Sequence, residues 1–371
     1  MVQPAVDDAI DLTRIRRALV IKLRHHGDVL LTSPVFSALK RAAPHVDVDA
    51  LVYHETAAML DRHPAISMLH TIDRALKQRS RFVALRAELR LWQVLRERGY
   101  DLVIHLTDHP RGAWLARLVG ARYAVAIERD DAGAWWRSSF THHYLIPRNT
   151  ERHVVEQNLD ALRRLGLWPS ESDKPLVLVP GAAAEARVDA LLAQHALARG
   201  RFVLMHPGSR WQFKSWTAVG SAAIVDMLAA DGWPVVLTAA PDRAERALTH
   251  AIGAAARASV IDLSGQLALP ELAALIARAR MLIGVDSAPM HMASAMQTPV
   301  VALFGPSSEA AWGPWRVAHR VVGSTVHSCR PCYINGCGGS NNSDCLITLP
   351  IARVATAVRE LLAETANRFP P

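Results

Sequence analysis

Cysteine and long apolar runs are the two features that this sequence has least of. Its 371 residues include four cysteines, all between positions 329 and 345, which argues against a disulfide-bonded scaffold. No apolar run reaches the roughly 20 residues that a helix needs to cross a bilayer. The first residues also lack the basic start and apolar centre of a signal peptide. We therefore expect a cytoplasmic protein.

Acidic residues are fewer than basic ones, and two nucleotide-binding motifs are absent. The chain has 42 Lys and Arg against 34 Asp and Glu, a formal charge of +8. It contains neither a Walker loop nor G-x-G-x-x-G. A basic surface suits nucleic acid, an anionic membrane face or a phosphorylated substrate as a partner. The alternative, which is equally compatible with the charge, is a surface that is simply solvated and binds no anionic partner. No dense basic run occurs, so we do not expect a nucleic-acid partner.

Apolar runs alternate with helical patterns in two successive series. Half of the residues are hydrophobic, enough for two sizeable cores. The first series comprises 17–23, 46–53, 101–106 and 122–128. The second comprises 175–180, 201–207, 233–240, 259–265, 281–287 and 299–306. Such alternation is typical of parallel sheets covered by helices, and it predicts an α/β protein with two Rossmann-like doubly wound domains facing a cleft.

The turn-rich segment 166–175 marks the expected domain boundary. The predicted organisation has four parts, in which the last helix is a candidate to pack back on the first domain. They are an N-terminal extension at 1–16, a first domain at 17–170, a second domain at 171–350 and a C-terminal helix at 351–371.

A carboxylate lies where the first predicted strand turns into the first helix. In "RHHGDVLLTSP" (24–34), Asp28 is either a helix cap or helix-dipole partner, or a general base. Ser33 is the expected cap of the following helix, with a proline next to it. The preceding Arg24, His25 and His26 are candidates for contact with a polar substrate. Two adjacent histidines without a third ligand are a weak metal signal.

Two further motifs follow strands of the second series. In "HPGSRWQFKSW" (206–216), Ser209, Arg210 and Lys214 combine a hydroxyl with positive charge near a helix start, as phosphate binding requires; the alternative is a solvent-facing basic loop. In "GVDSAPMHMASA" (284–295), Asp286 and Ser287 lie at a strand end. His291 follows about one helical turn later. Asp286 is suited to sugar hydroxyls or to capping the next helix, and the two roles are compatible.

The cysteines form one cluster in the sequence "CRPCYINGCGGSNNSDC". Cys329, Cys332, Cys337 and Cys345 could provide a four-thiolate zinc site, since C-x2-C is a common half-site. The remaining spacings are not those of a standard zinc knuckle. Reduced structural thiols explain the pattern equally well.

These motifs, in this order, resemble the bacterial lipopolysaccharide core heptosyltransferases, inverting enzymes of glycosyltransferase family 9 with the two-domain B-type (GT-B) fold. The similarity extends over residues 17–365 and includes "FGPS" and the cysteine-rich segment. The form "LRHHGDVLLTSPV" is similar to that of the heptosyltransferase III group. The resemblance implies transfer of heptose from ADP-heptose to the lipopolysaccharide inner core, without a cofactor for the chemistry. It also implies peripheral contact with the inner face of the cytoplasmic membrane.

The same resemblance implies roles for individual residues. Asp28 matches the family's catalytic aspartate, whereas Ser209 and Lys214 match residues that hold the donor diphosphate. Asp286 matches the carboxylate near the donor sugar, with His291 as the histidine that follows it. In "APDRAER" (240–246), Asp242 and Glu245 are both candidates for the donor ribose.

Two other functions compete with this interpretation. One is another nucleotide-sugar enzyme with the same fold, such as an epimerase, which needs no separate acceptor. The second is a zinc-stabilised nucleic-acid-binding module built on the cysteine segment. That segment contains one basic residue, Arg330, and one aromatic residue, Tyr333, which is poor material for phosphate contacts and base stacking.

Overall fold

The computed structural model describes residues 6–78, 80–147 and 151–369. The chain divides into two compact units, Met1–Val177 and Leu178–Pro371. Each unit contains one parallel six-stranded sheet with helices packed around it, which confirms the predicted α/β class. We expected the boundary after residue 170, and it falls at the end of the same turn-rich region.

The first unit contains a sheet in the order β3-β2-β1-β4-β5-β6. Its strands are β1 (Arg17–Lys22), β2 (Asp47–Tyr53), β3 (Met68–Ile72), β4 (Leu102–His105), β5 (Tyr123–Ile127) and β6 (His142–Tyr144). Its α-helices are α1 (His26–Leu30), α2 (Ser33–Ala42), α3 (Arg81–Arg98), α4 (Pro110–Val119), α5 (Ala134–Arg137) and α6 (Val154–Arg164). Short 3-10 helices occupy Leu12–Arg14, His54–Met59, Arg74–Gln78 and Glu171–Asp173.

The second unit repeats this topology, with the order β12-β11-β10-β7-β8-β9. Its strands are β7 (Val203–His206), β8 (Val235–Leu237), β9 (Ile261–Asp262), β10 (Met281–Val285), β11 (Val300–Phe304) and β12 (His319–Gly323). Its α-helices are α7 (Ala182–Gln194), α8 (Ala218–Ala230), α9 (Arg243–Ala255), α10 (Leu269–Arg278), α11 (Ala288–Ala295), α12 (Glu309–Trp312), α13 (Asp344–Ile347) and α14 (Ile351–Glu364). Short 3-10 helices occupy Gln212–Lys214, Cys337–Gly339 and Ala366–Arg368.

The C-terminal helix belongs to the second unit. Val354, Val358 and Leu361 on one face of α14 are fully buried in the core that contains β7 and β10. The same helix contacts α8, β11 and β12. We expected this helix to be a candidate for packing on the first domain; within the second unit, its buried side chains are part of the core. In the described part of the chain, no helix is long and apolar enough to cross a membrane.

Helix α3 begins and ends at local sequence signals, whereas the start of α2 differs from the expectation. The long helix α3 starts after Ser80, whose hydroxyl accepts from the Val83 N–H, and ends at Gly99 with a φ of +66°. For α2, however, Thr32 and not Ser33 is the residue before the helix. The Ser33 hydroxyl instead accepts a hydrogen bond from the Val177 N–H at 3.0 Å. The expectation that Ser33 caps α2 was therefore wrong.

A buried histidine makes the first unit sensitive to acid. His63 is only 4 % exposed, and its Nε2 donates to the Ser33 carbonyl at 3.1 Å. Burial lowers the pKa of His63 from 6.5 to about 4. Between these values the unfolded chain binds a proton that the folded chain does not, so stability present above pH 6.5 is lost as the pH falls.

We expect His63→Gln to reduce this acid sensitivity. At pH 5, His63 lowers the free energy of unfolding by about 2 kcal/mol relative to pH 7. Glutamine does not titrate and therefore removes that difference. Urea unfolding at both pH values measures it, with the exposed His54→Gln as the control in the same unit. An unchanged pH 7 to pH 5 difference in His63→Gln would contradict the prediction.

Candidate active site

The order of strands identifies where ligands bind in each sheet. In the first sheet the order reverses between β1 and β4, and in the second between β7 and β10. In doubly wound sheets, ligands bind beyond the carboxyl ends of the strands at such a reversal. The segments that follow β1, β7 and β10 are the three motifs selected from the sequence. The topology therefore supports a ligand-binding role for each motif within its own unit.

An ion pair joins two of these motifs in the second unit. Lys214, in the 3-10 helix Gln212–Lys214 of the loop after β7, donates from Nζ to Asp286 Oδ2 at 2.6 Å. Asp286 directly follows β10, and the two side chains are 22 % and 8 % exposed. Such shielding strengthens the attraction relative to a surface pair. The sequence placed both residues at a donor site, and the structure brings them into contact.

Two other polar residues of the loop after β7, Ser209 and Arg210, make contacts within the loop. The Ser209 hydroxyl accepts from the Trp211 N–H at 3.2 Å, so part of its hydrogen-bonding capacity shapes the turn. Arg210 is exposed, and its guanidinium lies 5.4 Å from the centre of the Trp211 ring. Arg210 is therefore an exposed cation beside Trp211, whereas Lys214 is shielded and paired with a carboxylate.

Ser287, and not Asp286, is the residue that precedes α11. Its backbone is extended, its side chain makes no capping bond, and its hydroxyl donates to the Val285 carbonyl at 3.4 Å. Ser287 therefore occupies the position before the helix, and the Asp286 carboxylate is paired with Lys214. His291 lies within α11 and is 3 % exposed.

The structure separates the two ribose candidates. Asp242 caps α9 and accepts from the Ala244 and Glu245 N–H groups at 2.8 and 3.3 Å. Glu245 is buried and accepts from the Ala240 N–H at 3.1 Å. A side chain on Gly208 would come within 3.1 Å of the Glu245 carboxylate. Glu245 therefore lies directly under the glycine turn of the β7 loop, whereas Asp242 is exposed and occupied by its helix.

His206 is a polar residue of this region that sequence reasoning did not select. It ends β7, is buried, and is hydrogen-bonded through Nδ1 to Thr238 Oγ1 at 3.0 Å. Its Nε2 lies 3.5 Å from Glu245 Oε2. Burial raises the pKa of Glu245, but hydrogen bonding and charge from His206 outweigh it, so the pKa lies below its ordinary value. The sequence signal that could have identified His206 is a histidine at the end of an apolar run.

In the first unit, Asp28 lies in the first turn of α1, directly after β1. Its side chain is half-buried, and no donor in the described part of the chain is hydrogen-bonded to its carboxylate. His25 is the residue before α1, and it makes no side-chain capping bond. Asp28 is therefore not a helix cap. Its place in the first turn of α1 fits the helix-dipole alternative as well as a carboxylate that is open to a ligand.

A buried lysine lies close to Asp28 and was also missed. Lys22 ends β1, and its Nζ donates to the Leu106 carbonyl at 2.9 Å and to Asn158 Oδ1 at 3.3 Å. Burial lowers the pKa of Lys22, and the negative charge of Asp28 opposes that shift. The sequence signal that could have identified Lys22 is a lysine within the apolar run "RALVIKL", since lysine is rarely buried without a partner.

The residues before Asp28 connect it to the neighbouring strand. The Arg24 guanidinium donates to Asp108 Oδ1 at 2.5 Å, and Asp108 follows β4 on the other side of the reversal. His26 Nε2 donates to the Glu55 carbonyl at 2.8 Å. His25 is half-buried beside them. The acceptor-side candidates thus precede Asp28 at the carboxyl edge of the first sheet, where Arg24 and His26 contact the segments that follow β4 and β2.

The four cysteines are reduced and differ in exposure. Cys329 is exposed, Cys332 and Cys337 are half-buried, and Cys345 is buried. Burial raises the pKa of the Cys345 thiol; Arg330 opposes this shift, and the other three thiols add to it. Within residues 6–78, 80–147 and 151–369, no three His, Cys, Asp or Glu side chains are grouped in a way that could hold a metal ion.

Arg330 accounts for the position of this cysteine segment. It donates to the Gly305 and Ser324 carbonyls, each at 2.8 Å, and to Glu309 Oε2 at 3.0 Å. These contacts tie the segment to the ends of β11 and β12 by protein groups. The arrangement as it stands does not fit a tetrahedral metal, and metal content stays a prediction for experiment.

We expect Cys332→Ser to retain glycosyl transfer. The cysteine segment follows β12, and Asn341 within it donates to Gln212 of the loop after β7 at 3.4 Å. Its thiols are nevertheless not part of the Lys214–Asp286 pair, so any zinc bound there is structural. Elemental analysis of wild type distinguishes about one zinc per chain from four reduced thiols. A Cys332→Ser protein with normal thermal stability and ADP affinity but no turnover would contradict this prediction.

Taken together, the two sheets define a class of protein. Two doubly wound parallel sheets, each with charged groups at its strand-order reversal and without a Rossmann glycine fingerprint, are the architecture of the two-domain nucleotide-sugar enzymes. The fold agrees closely with a glycosyltransferase family 9 structure from Veillonella parvula, with a TM-score of 0.81 at 24 % identity, over 96 % of this chain and 100 % of that one. It also agrees with the Escherichia coli ADP-heptose lps heptosyltransferase II structure, with a TM-score of 0.74 at 20 % identity, over 94 % and 99 % of the two chains.

The chain belongs to glycosyltransferase family 9 (heptosyltransferase), whose domain matches residues 88–340. It is 37 % identical to lipopolysaccharide heptosyltransferase 3 of Escherichia coli over 295 residues, which are 79 % of this chain and 84 % of that relative. These similarities confirm the family, the glycosyltransferase class and the GT-B fold that the sequence motifs predicted.

Proposed function

We propose that this protein transfers a heptose from ADP-heptose to the inner core of lipopolysaccharide, with inversion, and that it adds heptose III. The observation that carries the proposal is the shielded Lys214–Asp286 pair at the strand-order reversal of the second sheet. It combines a cation for a diphosphate with a carboxylate for sugar hydroxyls. The relative named lipopolysaccharide heptosyltransferase 3 supports the choice of donor and acceptor.

The second unit holds the donor in this proposal. Lys214 neutralises the diphosphate, helped by Ser209, Arg210 and the N–H groups that open α11 after Ser287. Asp286 accepts hydrogen bonds from the heptose, with His291 behind it in α11. Glu245 is the better ribose candidate, because the Asp242 carboxylate already caps α9.

The first unit holds the acceptor. Asp28 removes the proton from the attacking hydroxyl, because its carboxylate is half-exposed and has no donor of its own among the described residues. Arg24, His25 and His26, which precede it in the same segment, contact a phosphorylated sugar in this proposal. The excess of basic residues fits such an acceptor.

The chemistry needs no cofactor in this scheme. Inverting transfer breaks the bond between the anomeric carbon and the diphosphate while the acceptor oxygen attacks from the opposite face, as in inverting glycosidases. Lys214 and the α11 N-terminus stabilise the charge that develops on ADP, and Asp28 takes the proton. We further propose that the protein works in the cytoplasm, at the inner face of the membrane that carries its acceptor.

Product analysis tests the proposed function. Incubation with ADP-heptose and a series of core-truncated lipopolysaccharides should add one heptose to an acceptor that already carries the first two. Mass spectrometry identifies the addition, and NMR gives the linkage and anomeric configuration. Epimerised ADP-sugar without transfer would favour the epimerase alternative, and transfer only to an acceptor without heptose would contradict the heptose III assignment.

A further inference from the structure

Helix α3 presents apolar side chains on the side that faces away from its unit. Leu91 and Leu95 on the inner side pack into the core of the first unit. On the outer side, Phe82, Leu85 and Leu89 are 87 %, 58 % and 53 % exposed. Their spacing of three and four residues aligns them in one stripe along the helix. The stripe is therefore not part of the core.

The neighbouring helix α4 extends this apolar surface. Trp114 is 57 % exposed and Leu118 is 43 % exposed. The two helices lie side by side, because Trp92 Nε1 donates to the Leu118 carbonyl at 3.3 Å and Arg111 pairs with Glu88. We call the set Phe82, Leu85, Leu89, Trp114 and Leu118 the α3–α4 surface. Exposed apolar side chains grouped on two adjoining helices indicate an interaction site.

The charges around the α3–α4 surface are mostly positive. Helix α3 contains five arginines and two glutamates. One glutamate, Glu88, is neutralised by Arg111, and the other, Glu97, accepts a hydrogen bond from Gln93 at 2.7 Å. Arg86 and Arg90 are exposed beside the apolar stripe. An apolar stripe flanked by arginines complements a surface with an apolar interior and anionic headgroups.

We propose that the α3–α4 surface docks on an anionic lipid bilayer, with Phe82, Leu85 and Leu89 in the headgroup boundary and Arg86 and Arg90 against lipid phosphates. An amphipathic helix with aromatic and aliphatic groups between arginines binds bilayers in this way. The inference rests on the proposed function in one respect, since a lipopolysaccharide acceptor is held in a membrane. The aromatic Trp114 has the amphipathic ring that interfacial positions favour.

Vesicle flotation of the full chain tests the proposal without donor or acceptor. Wild type should float with phosphatidylglycerol-containing vesicles and much less with pure phosphatidylcholine. The triple variant Phe82→Gln, Leu85→Gln, Leu89→Gln should lose flotation, and glutamine keeps the helix propensity of α3. The matched control, Val219→Gln with Val326→Gln, changes exposed apolar residues of the second unit and should float like wild type.

A charge variant separates the two contributions. Arg86→Gln with Arg90→Gln should weaken binding to anionic vesicles by roughly 20- to 30-fold, from the usual contribution of two basic residues near an anionic surface. The exposed Arg187→Gln with Arg257→Gln is the control. Equal flotation of wild type and the triple variant would overturn the proposal. A wild-type dimer in light scattering that the triple variant converts to a monomer would overturn it too, by assigning the surface to a second copy of the chain.

Turnover on a short, water-soluble core oligosaccharide keeps this test separate from the proposed function. The triple variant should retain wild-type turnover on that acceptor, because none of its three residues lies at the ends of the strands. Loss of flotation with retained turnover supports the proposal. Normal vesicle binding by a protein without heptosyl transfer would reject the proposed function and leave the docking surface standing.

Discussion

Replacement of Asp28 by asparagine is expected to lower kcat by roughly two to four orders of magnitude, the usual contribution of a general base. Asparagine keeps the size of the side chain but cannot take the acceptor proton. Steady-state kinetics with ADP-heptose and a purified core acceptor measure the effect. Calorimetric ADP affinity should change little, because the residues proposed to hold the diphosphate are on the second unit.

Thermal stability distinguishes a catalytic from a structural Asp28. The carboxylate accepts no hydrogen bond from the described residues, so both Asp28→Asn and Asp28→Ala should unfold within a few degrees of wild type. Asp108→Asn is the matched control, since it alters another carboxylate at the same sheet edge, where Asp108 pairs with Arg24. A kcat for Asp28→Asn within a few-fold of wild type would remove the catalytic assignment.

The central strands of both sheets could be predicted from the sequence, whereas three edge strands could not. The segments β1, β4, β7 and β10 are continuous apolar runs because both of their faces are covered. Strands β3, β6 and β12 are the ones that were missed, and each forms the edge of its sheet. β3 and β12 are partly exposed, with two and one buried residues among five, and therefore lack a continuous apolar signal; β6 has only three residues.

One segment with an apolar pattern was predicted to be a strand but is not one in the structure. The run "PLVLVP" at 175–180 is apolar and was expected to be a strand, but in the structure it has no ladder partner. Leu176 and Leu178 are buried nevertheless. Burial of alternate side chains gives the same sequence pattern whether or not the backbone pairs with a neighbour, and this segment contains the junction of the two units.

The candidate residues were predictable by motif, but their partners were not. Sequence order cannot show that Lys214 and Asp286 meet, because 72 positions separate them. It also could not choose between Asp242, which caps α9, and Glu245, which is buried beside His206 and accepts from the Ala240 N–H. Lys22 and His206 were missed because each is the last residue of an apolar strand, where the apolar pattern assigns a residue to the core.

Replacement of Lys214 by alanine is expected to weaken ADP binding and to lower turnover together. The lysine charge acts on the bound diphosphate, and its importance grows as the sugar–phosphate bond breaks. Its removal also leaves Asp286, only 7 % exposed, without its cation and close to the anionic ligand. We expect a fall in kcat/KM of roughly a hundred- to a thousandfold, the usual cost of losing one such charge-stabilising group.

The double variant Lys214→Ala with Asp286→Asn separates the two causes. If the uncompensated carboxylate contributes to the loss, the double variant should bind ADP more tightly than Lys214→Ala alone, although turnover stays low. Arg210→Ala is the control in the same loop, and its exposed position predicts a much smaller effect. Calorimetry gives the ADP affinities and initial rates give the turnover. Wild-type ADP affinity in Lys214→Ala would show that the diphosphate is held elsewhere, and the ion pair with Asp286 would then be a structural feature of the second sheet.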